Sequence, residues 1–390
     1  MPHRETAGRL FLRFLRFGCL AFGGPVAQIG ILKKELVDEG GWVSQEQFRR
    51  ALAVYQVLPG PEAHELCVWF GTVARGRLGG LLAGLGFMLP GLVLTLLLAW
   101  CYTAVGEWPS GVLAAFAGMQ AVVIALVVRA THRIAAHAVP DRCAAVLALL
   151  AMASALLGVH FAIPLLGAGL AYVVWPAPRR MLLPCIALAW AVATLAVLVG
   201  GGLRAELLTL DEAAGPAPGS LHLLASGLRA GLLTFGGAYT AIPFLQEDAV
   251  GAAGWMTAQQ FLDGVALTGA LPAPLIIIGT FVGWLGGAFG GAMLMTAAIF
   301  APAFGFTLIG HSFFERLVAR PGLHRFLDGI SAGVVGLIAA TAVQFAPAAL
   351  GSPSRVLIAG VALLVLYRLK QRWVVPVVVL GGALVGAAMC

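Results

Sequence analysis

The chain has 390 residues, of which 60% are hydrophobic and 11% are charged. A soluble domain carries about 25% charged residues, so this composition excludes a soluble enzyme, a disordered chain and a nucleic-acid-binding domain. The formal net charge of +7 fits loop arginines that face an anionic cytoplasmic leaflet. The composition therefore predicts an all-α polytopic membrane protein, with the lipid bilayer and no nucleic acid among its partners.

Long stretches without charged side chains predict the membrane-crossing elements in chain order. They cover residues 78–106, 108–128, 143–178, 181–203, 264–314, 329–354 and 373–390. Because a helix needs about 20 apolar residues to cross the hydrocarbon core, these stretches hold roughly six to nine crossings. The longest stretch, 264–314, is too long for one crossing and predicts either two passes or a broken helix.

Short motifs recur at an offset of 213 residues, which indicates a duplicated chain. Phe22-Gly23-Gly24 recurs as Phe235-Gly236-Gly237, and Leu58-Pro59-Gly60-Pro61 recurs as Leu271-Pro272-Ala273-Pro274. Further pairs in the same frame are Gly41-Trp42 with Gly254-Trp255, Gln47-Phe48 with Gln260-Phe261, and Arg16 with Arg229. We predict two homologous halves, residues 1–203 and 221–390, joined by a polar linker at 204–220.

The two halves are predicted to be inverted-topology repeats. Five crossings follow the first repeated block, at residues 78–105, 109–129, 142–158, 160–175 and 181–201, and an odd number turns the second block upside down. Most Lys and Arg residues of the later loops fall on one side of this count, in agreement with the positive-inside rule. The loops of the repeated block are basic in the first half and acidic in the second. This favours re-entrant hairpins with their tips at the Gly/Pro breaks, with broken transmembrane helices as the alternative.

The four breaks indicate an ion site at membrane depth. A helix cannot run through Pro-x-Pro, and Gly-Gly lets the chain turn sharply. Free backbone groups at membrane depth are tolerated only against protein or a watery cavity, and freed helix N-termini bind anions. Paired interrupted segments in two inverted halves are typical of a secondary transporter. The alternative is that the Gly and Pro residues only kink the helices for packing.

A few polar residues near the breaks are candidates for substrate binding and coupling. We expect Arg16 and Arg229, whose planar guanidinium groups suit an oxyanion, to bind it, or else to extend to the membrane interface. Gln56 would add a neutral hydrogen bond. Glu62 is the candidate proton-coupling group, with stabilisation of a helix N-terminus as its alternative role. Backbone N–H groups complete the predicted site, at Gly23, Gly24, Gly60, Gly236 and Gly237.

The motifs themselves resemble a known family. The segment from Phe14 to Pro25, the Gly41-Trp42 pair, the segment from Leu58 to Ala63 and the segment from Leu233 to Tyr239 are similar to motifs of the chromate ion transporter family, in its long two-domain form. The resemblance covers nearly the whole chain. It implies a multi-pass carrier of the bacterial inner membrane that exports chromate, driven by the proton gradient or the membrane potential, with sulfate as a similar competitor.

One departure from the family pattern and several alternatives stay open. Family members often have Thr-Pro-Gly-Pro where this chain has Leu271-Pro272-Ala273-Pro274. The alternatives are transport of sulfate or another anion and, more remotely, a membrane-embedded enzyme. The chain has no P-loop motif for ATP, and we expect no enzymatic activity, cofactor or metal. A homodimer is left open as the assembly state.

Overall fold

The computed structural model describes residues 5–105, 108–175, 183–201, 215–235, 237–251, 254–310, 320–369, 371 and 373–389. Within these ranges the regular structure is entirely helical, which confirms the predicted all-α fold. The first half contains α1 Ala7–Cys19, α2 Pro25–Leu32, α3 Gln45–Val57, α4 Glu62–Ala104, α5 Ser110–Ala138, α6 Arg142–Leu156, α7 Ala162–Val174 and α8 Leu183–Gly201. The second half contains α9 Ser220–Leu232, α10 Ile242–Val250, α11 Ala258–Gly269, α12 Ile278–Leu308, α13 Pro321–Ala349, α14 Pro353–Arg368 and α15 Val374–Ala388.

Short turns of tighter or wider helix complete these elements. A π-helical segment, Lys33–Asp38, continues α2, and 3₁₀ turns at Ala238–Ala241 and Leu275–Ile277 precede α10 and α12. Among the described residues, four helical stretches are long and apolar enough to cross a membrane, Glu62–Ala104, Ser110–Ala138, Leu275–Leu308 and Pro321–Ala349. The chain is therefore a multi-pass membrane protein, as the sequence predicts.

The duplication is visible in local structure. Ser44 caps α3 and receives a hydrogen bond from the backbone of Gln47, whose side chain accepts one in return. Thr257 and Gln260 form the same reciprocal capping box at the start of α11. Such a box satisfies two backbone donors that a helix start would otherwise leave free. Because the two boxes lie 213 residues apart, the halves repeat in structure as they do in sequence.

The two longest helical segments fold back on themselves. Straight, the 43 residues of α4 would extend about 65 Å, roughly twice the hydrocarbon core. Instead the backbone leaves the helical conformation at residues 75–76, with Gly76 at a φ of 62°. In α12 it does so at residues 287–288, where Ala288 takes a φ of 48°. Each turn splits its helix into two packed arms, which we call α4a (62–74), α4b (77–104), α12a (278–286) and α12b (289–308).

Close contacts hold each pair of arms together. Gly71 and Gly79 face each other so tightly that a Cβ on either would overlap the carbonyl oxygen of the other. Across α12, the hydroxyl oxygens of Thr280 and Thr296 are 2.6 Å apart. In a straight helix these threonines would be separated by about 24 Å. The sequence predicts two passes or a broken helix within 264–314, and the turn of α12 lies in this stretch. The position of neither hairpin turn was predicted, because no Pro marks them and the glycines alone do not distinguish a turn from a packing face.

The halves exchange their packing partners. Helix α5 of the first half packs against α14 and α15 of the second, and α13 of the second half packs against α6 and α7 of the first. Helices α4 and α12 also pack against each other. Neither half therefore encloses its core alone. The boundaries at 203 and 220 stay a prediction, and residues 202–214 of the predicted linker lie outside the described part of the chain.

Candidate functional site

The four helix breaks come together around one cavity of about 380 Å³. The first Gly-Gly break contributes Gly23 and Gly24, and its counterpart contributes Gly237 and Phe235. The Pro-x-Pro breaks contribute Gln56 and Glu62 from the first half and Leu271, Ala273 and Leu275 from the second. Segments more than 200 residues apart in sequence thus form a common wall. This convergence is what a binding site built from interrupted helices requires.

Hydrogen bonds connect the breaks of the two halves. The backbone N–H of Gly60 donates to the carbonyl oxygen of Thr234 at 2.7 Å, just before the second Phe-Gly-Gly. The buried side-chain amide of Gln28 donates to the carbonyl oxygen of Ala21 at 2.8 Å and to that of Ala273 at 3.3 Å. Carbonyl groups freed by the breaks are thereby satisfied within the protein, as membrane depth demands.

Glycine is required where two of the helices begin. Gly24 precedes α2 with a φ of 79°, and Gly237 precedes the Ala238–Ala241 turn with a φ of 127°. L-residues with side chains avoid this region of backbone conformation. Both helix starts consequently expose backbone to the cavity without a side chain in front of it.

The structure places most predicted site residues on the cavity wall. Gly23, Gly24, Gln56, Glu62 and Gly237 all line it. Gly60 is buried beside the wall, and its N–H is already occupied by Thr234. The remaining predicted glycine, at position 236, lies outside the described residues. The roles of these residues in substrate binding stay predictions.

The two predicted arginines are engaged elsewhere. Arg16 pairs with Glu35 at 3.0 Å, and Arg229 pairs with Asp248 at 2.6 Å. The acid lies 19 residues after the arginine in each half, so the ion pair is itself duplicated. Arg229 also lies over the ring of Phe161, 5.4 Å from its centroid. Neither arginine lines the cavity, and their role in anion binding stays a prediction.

Behind the first Pro-x-Pro break lies a small group of buried ionisable side chains. Glu62 is 8% exposed in the first turn of α4, whereas His64 and Glu65 are fully buried. Among the described residues, neither carboxyl oxygen of Glu65 has a hydrogen-bond partner. The Glu65 carboxyl group takes up the space beside Gly60. A Cβ added to Gly60 would therefore lie 2.7 Å from Oε1 of Glu65. Only glycine fits at this point of the break.

Sequence reasoning missed the basic residues of the cavity. Arg129, Arg133 and His137 line it from α5, and Asp328 lines it from α13. The predicted crossing ends at residue 129, which favours loop positions for the cations that follow it. Helix α5 continues beyond this point to Ala138 and carries all three residues. Their spacing of four residues was the signal that could have found them, since such residues share one helix face.

The fold and the cavity together indicate the class of protein. Duplicated halves, helices interrupted at membrane depth and a shared polar cavity belong to membrane transporters built from structural repeats. A family model described as chromate transporter matches residues 8–175 and 221–387, one match in each half. The chain belongs to the chromate transporter family and is a multi-pass protein of the bacterial inner membrane.

Similar proteins cover almost the same length. The chain is 50% identical to a chromate transport protein of Pseudomonas aeruginosa over 99% of its own length and 93% of that relative. It is 29% identical to a chromate transport protein of Cupriavidus metallidurans, over 98% of this chain and 92% of the relative. A probable chromate transport protein of Synechococcus elongatus is 30% identical, over 96% and 93% respectively. No solved structure matches the chain.

Proposed function

We propose that the protein is a secondary transporter that exports chromate across the inner membrane, with the cavity between the four breaks as the substrate site. The observation that carries the proposal is the convergence of all four interrupted segments on one cavity. Relatives that cover nearly the whole chain are described as chromate transport proteins, which supports chromate as the substrate. Sulfate, with the same charge and a tetrahedral shape, is the expected competitor.

Inverted re-entrant repeats are part of this proposal. Helices α1 and α3 have 13 residues each, about 20 Å, which is too short to cross the hydrocarbon core. Gly84, near the start of α4b, lies against Phe304, near the end of α12b. Thr103, near the end of α4b, accepts a hydrogen bond at 3.0 Å from the indole nitrogen of Trp284, which lies in α12a three residues before the turn. Helices α4b and α12b therefore run in opposite directions. The two hairpin turns therefore lie at opposite ends of this helix pair, as inverted halves require.

The position of the cavity supports export as the direction of transport. Arg133 and His137, near the end of α5, are exposed, whereas Glu62 and Ala273 at the breaks are buried. The cavity thus deepens from the end of α5 toward the breaks. The segment after α5 carries Arg142, and the positive-inside rule assigns such basic ends to the cytoplasm. A site that opens to the cytoplasm accepts its substrate from inside, which supports export.

The membrane potential alone favours this direction. Moving one elementary charge across 100 mV corresponds to about 2.3 kcal/mol, so a dianion leaving a negative interior gains roughly 4.6 kcal/mol at 100 mV. In this proposal Glu62 links protons to the anion, because an ionised carboxylate and a dianion repel each other in one cavity. Binding of the anion then favours the protonated form of Glu62, and protonation favours anion binding. A proton that leaves with the anion lowers the exported net charge to −1, so the gain from the membrane potential falls to roughly 2.3 kcal/mol at 100 mV.

Rocking of one repeat element against another would expose the site to the opposite side. The crossed packing of α5 with α14 and α15, and of α13 with α6 and α7, supplies two equivalent interfaces for such a movement. When these interfaces rearrange together, the breaks stay joined while the path beside α5 closes.

Chromate uptake into inverted membrane vesicles tests the proposal. Vesicles energised with NADH should accumulate chromate, excess sulfate should compete, and an uncoupler should abolish the uptake. Vesicles without the protein serve as the control. A potassium diffusion potential, imposed with valinomycin in place of NADH, separates the contribution of the potential from that of the proton gradient. Flux of another oxyanion but not of chromate would overturn the assignment of chromate as the substrate. The absence of any anion flux would overturn the assignment of the protein as an anion transporter.

A further inference from the structure

Three basic side chains line the cavity along one face of α5. Arg129, Arg133 and His137 are four residues apart in turn, which places successive side chains about 6 Å apart along the helix axis. Arg129 is half-buried, whereas Arg133 and His137 are exposed. The three therefore form a row from the open end of the cavity toward the breaks.

Glu62 lies on the same wall and its charge interacts with those of Arg133 and His137, but it forms no ion pair with either arginine of the row. Among the described residues, no carboxylate oxygen lies within ion-pair distance of either guanidinium, although Arg16 and Arg229 are both paired. Asp328, an acid on the same wall, is 3.8 Å from His324 instead. Arg129 is half-buried, and an arginine with five N–H donors in a partly apolar cavity is costly to leave without an anion. The row is therefore charged and open to a ligand.

The row is present in one half only. Helix α13 is the counterpart of α5 and has the same length of 29 residues. When the two helices are aligned from their first residues, an offset of 211, Arg129, Arg133 and His137 correspond to Ala340, Gln344 and Ala348. An arginine that only contributes to the positive-inside bias of a loop need not face the cavity. An arginine that binds a ligand in the cavity must face it.

We propose that Arg129 and Arg133 supply the charge that binds a divalent tetrahedral oxyanion and makes the site prefer dianions to monoanions. This inference rests on the proposed function, because it assigns the ligand class of the same cavity. Each planar guanidinium offers two parallel donors to a pair of oxygen atoms. Two positive groups attract a dianion about twice as strongly as a monoanion, since the Coulomb energy scales with the product of the charges. His137 lies at the outer end of the row as the first cation an entering anion meets.

Direct binding to the purified full-length protein tests the assignment. Equilibrium dialysis in detergent would compare chromate and sulfate with nitrate, a monoanion, on the wild type, Arg129→Gln and Arg133→Gln. We expect each variant to weaken dianion binding by roughly 10–100-fold, with a smaller loss for nitrate, so that the preference for dianions falls. Arg133→Lys should restore part of the affinity because it keeps the charge. Arg142→Gln, an exposed arginine outside the cavity, is the matched control and should bind like the wild type.

The outcomes separate this inference from the proposed function. If the wild type transports chromate in vesicles but both Gln variants keep its affinity and its preference for dianions, the arginine assignment is wrong and the transporter stands. If the wild type binds dianions through these arginines but moves no chromate, the proposed function is wrong and the assignment stands. A wild-type protein that binds no dianion would overturn the assignment. Equal losses for nitrate and dianions would indicate a structural role of the arginines and would also overturn it.

Discussion

The two Pro-x-Pro breaks share a backbone pattern but differ in chemistry. After Pro61 the first half places Glu62 on the cavity wall and buries Glu65 against Gly60. In the second half the equivalent positions are Leu275 and Ile278, and Ala273 takes the place of the glycine. With no carboxyl group beside it, the second break has room for a Cβ.

The methyl group of Ala273 is accommodated by another glycine. It fills the space in front of Gly91 in α4b, where a Cβ would overlap it. The residue equivalent to Gly91 in α12b is Ala303, at an offset of 212. The first half therefore has glycine at both positions, and the second half has alanine at both. The breaks are present in both halves, while Glu62, Glu65 and the arginine row have counterparts without charge in the second half.

The largest effect is expected from a side chain at the first break. Gly60→Ala would place a Cβ 2.7 Å from the Glu65 carboxyl oxygen, at a backbone φ of 152°. Backbone strain of this kind costs roughly 1–3 kcal/mol, and the clash adds to it. We expect a lower melting temperature of the purified protein and loss of chromate uptake in vesicles. Ala273→Gly, the same exchange in reverse at the equivalent position, should stay close to the wild type. A Gly60→Ala protein with normal stability and uptake would refute the close packing of Glu65.

A second test exchanges the partners at the second break. Gly91→Ala should destabilise the protein by roughly 1–3 kcal/mol, the usual range for an overpacked core, because its Cβ would overlap that of Ala273. Adding Ala273→Gly to the same chain removes the overlap and should restore the melting temperature. If the double variant is no more stable than Gly91→Ala alone, the two residues do not pack as described.

The acid at the first break should make binding depend on pH. Where Glu62 is ionised it repels a dianion, so the affinity for sulfate, which stays divalent in this range, should fall as pH rises. Glu62→Gln should remove that fall and bind several-fold more tightly at high pH, as measured by equilibrium dialysis. His137 also lines the cavity and gains positive charge at low pH, so His137→Gln is the control. Glu62→Gln with an unchanged pH profile would exclude this carboxyl group as the coupling group.

The smallest effect on stability is expected at the Arg16–Glu35 ion pair. Arg16 has a side chain that is 60% exposed, and exposed pairs contribute about 0–1 kcal/mol. Exchanging the charges, Arg16→Glu with Glu35→Arg, keeps the pair. If Arg16 is needed only for this pair, the exchange should restore any uptake that Arg16→Gln loses. If Arg16 binds the substrate, as its motif position suggests, the exchanged protein should remain inactive.

The sequence contained enough information to predict the breaks but not the cations of the cavity. Gly-Gly and Pro-x-Pro act on the backbone locally, so their effect can be predicted without the fold. The four-residue spacing of Arg129 and Arg133 places them on one helix face, but whether that face lines a cavity depends on how α5 packs between helices of the other half. The duplicated acids Glu35 and Asp248 lie in the same frame as Arg16 and Arg229. The two ion pairs could therefore have been predicted from the sequence.

The central claim is that a dianion binds in the cavity where the four breaks meet. The most direct test is an experimental structure of the protein with chromate, in which anomalous scattering locates the chromium atom. We expect one strong chromium peak in the cavity, within contact distance of the Arg129 or Arg133 guanidinium group and next to the glycines at positions 23, 24 and 237. A chromium peak beside the Arg16–Glu35 or Arg229–Asp248 pair, with an empty cavity, would contradict it.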